Sequence, residues 1–171
     1  MKTQKVSIIV AMDEKGGIGK NDRIPWHIKA DLIRLRDTTK GHFVILGRSS
    51  YESMAGYYDK SGKPMPAREY IVVTTNPDFK SSRDNTFAAT SIDAALKRAQ
   101  KSGEKEIFVI GGEKIFKQFL PLASRLYLTR VKGSFDCDTF FPDYLGFKKV
   151  ISSEKDSDEG IDFTYKVLER V

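Results

Sequence analysis

Cysteine is nearly absent. Cys137 alone cannot close an intramolecular disulfide, which excludes a secreted fold held by a disulfide framework and makes a reducing cytosol the simplest compartment. It lies between Asp136 and Asp138, whose negative charge works against a reactive thiolate. Histidine is almost as scarce: His27 and His42 lack metal-type spacing and cysteine partners, so no metal site is expected. No apolar run approaches the roughly 20 residues that a bilayer span requires. The short run in MKTQKVSIIVAM is followed by no cleavage pattern, so the chain reads as soluble, with no membrane partner. Internal repeats, linkers and low-complexity segments are missing, as is the G-x-G-x-x-G fingerprint of the common dinucleotide fold.

What remains is an ordinary globular composition. A length of 171 residues suits one domain, here taken as 1–171, with enough chain to bury a core without covalent staples. Hydrophobic content of 40%, with 11 Phe and 7 Tyr, is too high for a disordered chain. The net charge of +6 favours an anionic partner. The basic residues are nevertheless scattered, with no tract of five or more and no alternation with aromatics, so nucleic acid is not required. A phosphorylated cofactor with a polycarboxylate substrate accounts for the excess equally well.

Strands and helices alternate along the chain. Val6 to Met12 reads as a strand buried on both faces, as in a mainly parallel sheet. A Gly-rich loop from Asp13 to Trp26 leads into a helix from about Ile28 to Asp37. Strand His42 to Leu46 passes through Gly47-Arg48-Ser49-Ser50 into a short helix ending near Met54, and 56–67 reads as a polar loop. Strand Tyr70 to Thr75 is closed by Asn76-Pro77. Ser91 caps a helix to about Ser102, with Gly103 as its stop. Strand Glu106 to Ile110 passes through Gly111-Gly112 into a helix to Phe119. Strand Arg125 to Val131 and two strands near 147–154 and 162–170 complete the set, the last two paired as a hairpin across DSDEG. The expected fold is α/β: one twisted, mostly parallel sheet of about eight strands with an antiparallel C-terminal edge, flanked by about four helices.

Three places carry candidate chemistry. In the helix after Trp26, positions 28, 31, 32 and 35 share one face and read Ile, Asp, Leu, Leu, so Asp31 interrupts an apolar stripe expected to face the core. Two readings stand together: a first-turn Asp stabilised by the helix dipole, or a carboxylate in an apolar cleft accepting two hydrogen bonds from an N–C–NH2 edge. At EIFVIGGEKIF, Gly111-Gly112 would let a diphosphate approach the backbone at a helix start, although close strand–helix packing asks for the same residues. At Gly47-Arg48-Ser49-Ser50 hydroxyls and a cation meet another helix start, which suits a phosphate; plain N-caps and a solvated Arg48 would look the same. Thr74 and Thr75 add hydroxyls at a strand end, favouring NADPH over NADH.

Taken together, SIIVAM, GGIGKNDRIPWHIKADL, FVILGRSSYESM, KPMPAR, IFVIGGEKIFKQFLP, RLYLTRV and DTFFPDY resemble the dihydrofolate reductase family, in family order and over nearly the whole chain. The combination of I-G-x5-P-W-x4-D-L, G-R-x-S-x-E-S and V-I-G-G is highly specific. The resemblance implies NADPH-dependent reduction of dihydrofolate to tetrahydrofolate in one-carbon metabolism, by a cytoplasmic, often monomeric enzyme that antifolates inhibit. It implies that Asp31 anchors the pterin and assists protonation at N5, that Thr129 hydrogen-bonds this carboxylate, and that Trp26 ends the catalytic loop. Ile9, Val10 and Ile110 would line the pterin and nicotinamide side of the pocket. Leu32, Leu35 and Met54 would form its apolar walls, and Arg68, with Arg36 and Lys63 nearby, would grip the substrate's glutamate tail.

For the cofactor the resemblance implies Ala11 at the carboxamide and the loop Gly17, Ile18, Gly19, Lys20, Asn21, Asp22 and Arg23 over the nicotinamide. Gly47, Arg48, Ser49, Ser50, Thr74, Thr75 and Thr90 would lie around the phosphates. A cis Gly111–Gly112 peptide, Glu113, Lys114, Ile115 and Phe116 would lie along the diphosphate. Leu35 stands where the family usually has Phe, Phe116 where Tyr is frequent and Ser50 for Thr; residues 56–62 look inserted. Two other readings stay open at this level: the related pyrimidine reductase of riboflavin synthesis, and a non-catalytic nucleotide-binding protein on the same fold.

Overall fold

The computed structural model describes residues 4–171. Strand β1 (Lys5–Met12) runs through the interior with Ile8 and Met12 fully buried. A short strand β2 (Gly17–Gly19) follows, then helix α1 (Lys29–Thr39), β3 (Phe43–Gly47), α2 (Arg48–Ser61), β4 (Glu69–Val73), β5 (Thr86–Ala89), α3 (Ile92–Lys101), β6 (Glu106–Val109) and α4 (Glu113–Phe119). After a 3-10 turn come β7 (Arg125–Val131), the short β8 (Thr139–Phe140), β9 (Lys149–Asp158) and β10 (Ile161–Glu169). Eight strands form one sheet in the order β5-β4-β3-β6-β1-β7-β10-β9. The first six are mutually parallel, and β10 enters antiparallel to both β7 and β9.

Alternation along the central strands divides the core in two. Val6, Ile8, Val10 and Met12 face one way, packing with Ile45, Ile107 and Val109 and with Ala95 and Ala99 of α3 and Ile115, Phe116 and Phe119 of α4. Val44, Leu46, Tyr70, Val72 and Phe108 face the other way, against Tyr51 of α2, with Ile9, Met54, Ile110 and Tyr127 at the margin. Val10 therefore places its side chain on the face away from Ile9 and Ala11, in contrast to its expected place in the substrate pocket.

Several elements depart from the sequence reading. Helix α2 passes Gly56 and Met54 and ends at Ser61, where Gly62 (φ 69°) supplies the left-handed turn. Residues 56–61 are thus helical and not loop; Tyr58 packs beside Met54 at the core margin and carries the helix onward. Strand β5 was not foreseen because Thr86–Ala89 is short and half exposed. The pair β2–β8 lies inside what reads as loop. Phe147 is buried in the core rather than opening a strand. The C-terminal strands run further into the acidic segment than expected, leaving Glu159 (φ 52°) and Gly160 (φ 79°) as a two-residue turn of the kind that suits a hairpin's twist.

That extension has a consequence for α1. The helix has no side-chain cap of its own at Ile28; the Ala30 N–H donates instead to Asp158 Oδ2, 2.9 Å away at the end of β9. Nor does the stripe of α1 face the core: Leu32 is 38% exposed, and Thr39 is the helix's buried residue. An acidic acceptor at a helix start typically contributes about 1 kcal/mol. Asp158→Ala is expected to lower unfolding stability by about that amount, measured as a change in urea midpoint at constant slope.

Candidate active site

Sheet register sets the centre of the site. Ala11 on β1, Thr129 on β7, Tyr165 on β10 and Glu154 on β9 are successive Cα partners, so they form one row on one face. Asp31, in the first turn of α1, lies over this row. Its Oδ1 accepts the Thr129 hydroxyl at 2.6 Å, and Thr129 itself is buried. Burial pushes the Asp31 carboxyl above its ordinary value, against the pull of the Thr129 hydrogen bond and of the Arg34 charge. Asp31 stands in the first turn of α1, as one reading had it, and is also half buried and tied to the sheet, as the other requires.

Around it stand several of the expected neighbours. Trp26 and Ile28 are buried with Val131 and Phe163, and Ala11, Ala30, Phe135 and Tyr165 pack on that cluster; Trp26 meets Phe135 edge to face at 5.2 Å. Ile9, Ile110 and Met54 lie together at the margin of the α2-side core. Leu32 and Leu35 keep part of their surface in solvent, as side chains reserved for a ligand would. At the far end of α1, Gly41 donates to the Pro66 carbonyl and Arg68 to the His42 carbonyl, which brings Arg68 to the helix C-terminus. Its guanidinium is 66% exposed and sits 3.5 Å from Glu104, a carboxylate that also lies 3.6 Å from His42. Arg36 is exposed and paired with Asp37, and Lys63 is exposed just past α2, its N–H held by Ser61.

The phosphate-type residues gather at the carboxyl ends of the parallel strands, the usual crevice of such sheets. Gly47 ends β3 and Ile110-Gly111-Gly112 follows β6, side by side, with Gly47 N–H donating to the Gly111 carbonyl at 2.8 Å. The Gly111–Gly112 peptide is cis, as the resemblance implies. A Cβ on Gly111, whose φ is 136°, would meet Ser50 Oγ at 3.2 Å, and one on Gly47 would meet Ile115 at 3.3 Å. A side chain at either glycine would fill this cradle, so its shape fits a group that approaches bare backbone. Neither Gly47 nor Gly112 caps its helix with a side chain, so the N–H groups at the start of α2 remain for an anion.

Thr74 is buried and bonds the Asn76 N–H, while Thr75 and Thr90 are exposed at the ends of β4 and β5. Ser49 is exposed, and Arg48 pairs with Glu52 at 2.8 Å and lies over the Phe79 ring. Glu113 pairs with Lys117, Lys114 is exposed, and Ile115 and Phe116 are turned into the core, Phe116 against Phe141. Those last two side chains support the cradle from beneath.

The 17–23 loop is anchored at two carboxylates. Buried Asp13 accepts the N–H groups of Lys15, Gly17 and Phe135; burial acts to raise its pKa, and these bonds together hold it below the ordinary value. Gly17 is required there, since a Cβ would fall 2.4 Å from that of Cys137. Asp138 accepts the Asn21 N–H. Asn21 (φ 49°) and Asp22 (φ 60°) turn the chain between Lys20 and Arg23, which exchange backbone hydrogen bonds, and Ile18 packs on the core beyond Gly19. The Cys137 thiol is pushed up by burial first and then by Asp13, with Asp138 a smaller contributor; its flanking Asp136 is not the decisive charge.

Sequence reasoning missed Arg34, Tyr165, Asp158, Asp13 and Glu104. Arg34 alone had a readable signal, its i, i+3 spacing from Asp31. The raised pKa of Asp31 also fixes a sign. A carboxyl that binds its proton more tightly when folded stabilises the fold below the ordinary carboxylate range and loses that contribution as pH rises through its folded value. Asp31→Asn is therefore expected to melt at a higher temperature than the parent at neutral pH, with the gap closing on acidification, as followed by scanning calorimetry.

Comparison with known proteins agrees with this geometry. A family profile described as "Dihydrofolate reductase" matches residues 5–170. A dihydrofolate reductase of Staphylococcus haemolyticus is 37% identical, covering 98% of this chain and 96% of that protein. One of Bacillus subtilis is 35% identical, covering 95% and 92%. The solved structure of the Enterococcus faecalis dihydrofolate reductase, complexed with NADP(H) and RAB-propyl, superposes with a TM-score of 0.81 at 30% identity over 97% of this chain and 96% of that one.

Proposed function

The chain belongs to the dihydrofolate reductase family, and from that premise we propose that it reduces 7,8-dihydrofolate to tetrahydrofolate through the residues that surround Asp31. The observation that carries the assignment is the half-buried Asp31 carboxylate, fixed to β7 by Thr129. NADPH, when bound, supplies the hydride that the pterin C6 accepts. The protein's own contribution is placement and electrostatics. Asp31 takes the amino and N–H edge of the pterin and favours a proton at N5. Leu32, Leu35, Met54, Ile9 and Ile110 enclose the ring. The loop from Gly17 to Arg23 covers the reacting atoms and excludes water. The bare backbone at Gly47, Gly111 and Gly112 accommodates the diphosphate, with Arg48, Ser49, Ser50, Thr74, Thr75 and Thr90 around the 2′-phosphate and the pyrophosphate.

The family match sets aside the pyrimidine-reductase and binding-protein readings. The remaining parts of the proposal are a single functional unit over 1–171, a monomeric cytoplasmic enzyme, and inhibition by antifolates that present the same amino edge to Asp31. Among the described residues no helix is long and apolar enough to cross a membrane.

Mixing the protein with NADPH and dihydrofolate should consume NADPH absorbance. Asp31→Asn should fold and bind NADPH yet lose most turnover near neutral pH, recovering toward acid as the substrate carries its own proton; an unchanged rate–pH profile would refute the role. At the tail end, Arg68→Leu should raise KM for dihydrofolate with kcat nearly unchanged, by about 1.5–3 kcal/mol for a lost charged hydrogen bond. Glu104→Gln should lower KM, because it frees Arg68 from the carboxylate that competes with the substrate's own. A KM that rises in Glu104→Gln would show that Glu104 orients Arg68 for the substrate.

A further inference from the structure

Arg34 lies one turn beyond Asp31 on α1 and is half buried. Its Nη1 donates to Thr129 Oγ1 at 3.3 Å, while the same hydroxyl donates to Asp31 Oδ1 at 2.6 Å. A hydroxyl has one proton, and a guanidinium has no acceptor atom. The Thr129 oxygen therefore accepts on the Arg34 side. A second lone pair stays free, but a cation on that oxygen makes it a poorer acceptor and its O–H a better donor, which favours giving the proton to Asp31. The guanidinium carbon itself lies over the Tyr165 ring, 4.2 Å from its centroid. Arg34 of α1 thus rests on Tyr165 of β10 and polarises Thr129 of β7 toward Asp31 in the turn of α1 before it.

We propose that Arg34 is a positioning residue for the reducing site, one that biases the Thr129 hydroxyl toward donation to Asp31 so that this group meets the pterin edge as a carboxylate. The inference rests on the assignment of Asp31 as the pterin anchor and goes beyond it by naming what sets the anchor's protonation. Without the Arg34 charge on it, the Thr129 oxygen would accept as readily from a protonated Asp31, and a neutral acid makes a poorer partner for an amino and N–H edge.

Charge around the group is consistent with one cation answering several acids. Besides Asp31 on its own helix, Arg34 faces Tyr127 on β7, Tyr165 on β10 and Glu154 on β9, and the Tyr165 hydroxyl lies near Asp156 and Asp158 of β9. Burial and then the Asp31 charge push the Tyr165 phenol up to about 12, so it stays neutral beneath the guanidinium. Its oxygen is buried with no hydrogen-bond partner among the described residues, so Tyr165 serves Arg34 as a stacking surface.

The test is a carbon-13 NMR titration of the Asp31 carboxyl in the full chain, with and without NADPH, for Arg34→Met, Arg34→Lys, Thr129→Val and the Arg34→Met/Thr129→Val double variant. The expected result is a midpoint at higher pH in Arg34→Met and in Thr129→Val, near-complete rescue in Arg34→Lys, and a double variant that shifts by less than the sum of the two. Should Arg34→Met fail to fold, Arg34→Gln carries the same measurement, since it removes the charge and keeps a planar group over Tyr165. An unmoved midpoint overturns the proposal, and so do strictly additive shifts, which would show Arg34 acting through space without Thr129. The titration needs no substrate, so it reads out independently of the reductase assay: a chain that consumed no NADPH with dihydrofolate would sink the functional reading and leave the relay still measurable.

Discussion

The hydrogen bond from Thr129 to Asp31 holds the site together, because α1 has little else with which to grip the sheet. A surface helix ordinarily docks through an apolar stripe, but Leu32 and Leu35 stay partly in solvent and the helix buries Thr39. Its attachment is polar and placed at its beginning: Asp158 at the Ala30 N–H, Thr129 at the Asp31 carboxylate, Arg34 over Tyr165, with buried Ile28 and Trp26 as the apolar hinge. The apolar surface that would have docked the helix is left open. Stability is given up for function in the same residues, since Asp31 itself is raised from its ordinary pKa by burial.

The other half of the site owes its form to backbone. Strands β3 and β6 are neighbours, and each ends in a glycine turn into a helix. Side chains at those turns would occupy the space between them. Ile115 and Phe116 lie beneath, buried, so the cradle rests on the same core that packs α3 and α4 against β1. One sheet thus carries both features, a carboxylate over one face at β7 and a bare backbone at the ends of β3 and β6, with β1 between them.

What could be read in the sequence was what depends on near neighbours or on family pattern. The continuous apolar runs of β1, β3 and β6 named the parallel sheet, and Asp31 stood out within its own helix. Residues whose meaning lies in distant partners stayed hidden. Asp158 caps α1 across 128 positions, Arg34 finds Thr129 across 95, and Glu104 meets Arg68 only because β3 draws the starts of β4 and β6 together. Helix α2 outran its expected end because Tyr58 found core to pack on, which outweighs a single glycine's cost of about 1 kcal/mol. Strand β5 escaped notice because Thr86–Ala89 has neither length nor a buried face to announce it.

The net charge of +6 looks different once its placement is known. Exposed cations stand at the two ends of the site: Arg48 by the start of α2, and Arg36, Lys63 and Arg68 around the far end of α1 and α2. Acids gather between and below, with Asp31 at the centre and Glu154, Asp156 and Asp158 along β9. A uniform basic surface would suit a polyanion of any kind. Cations at both ends, of which Arg48, Arg36 and Arg68 each share a neighbouring carboxylate, with acids in the middle, suit a pair of ligands with anionic extremities and one amino-bearing ring between them. Within that field Arg34 is the exception, a cation placed among the acids, and its contact with Thr129 gives that placement a use.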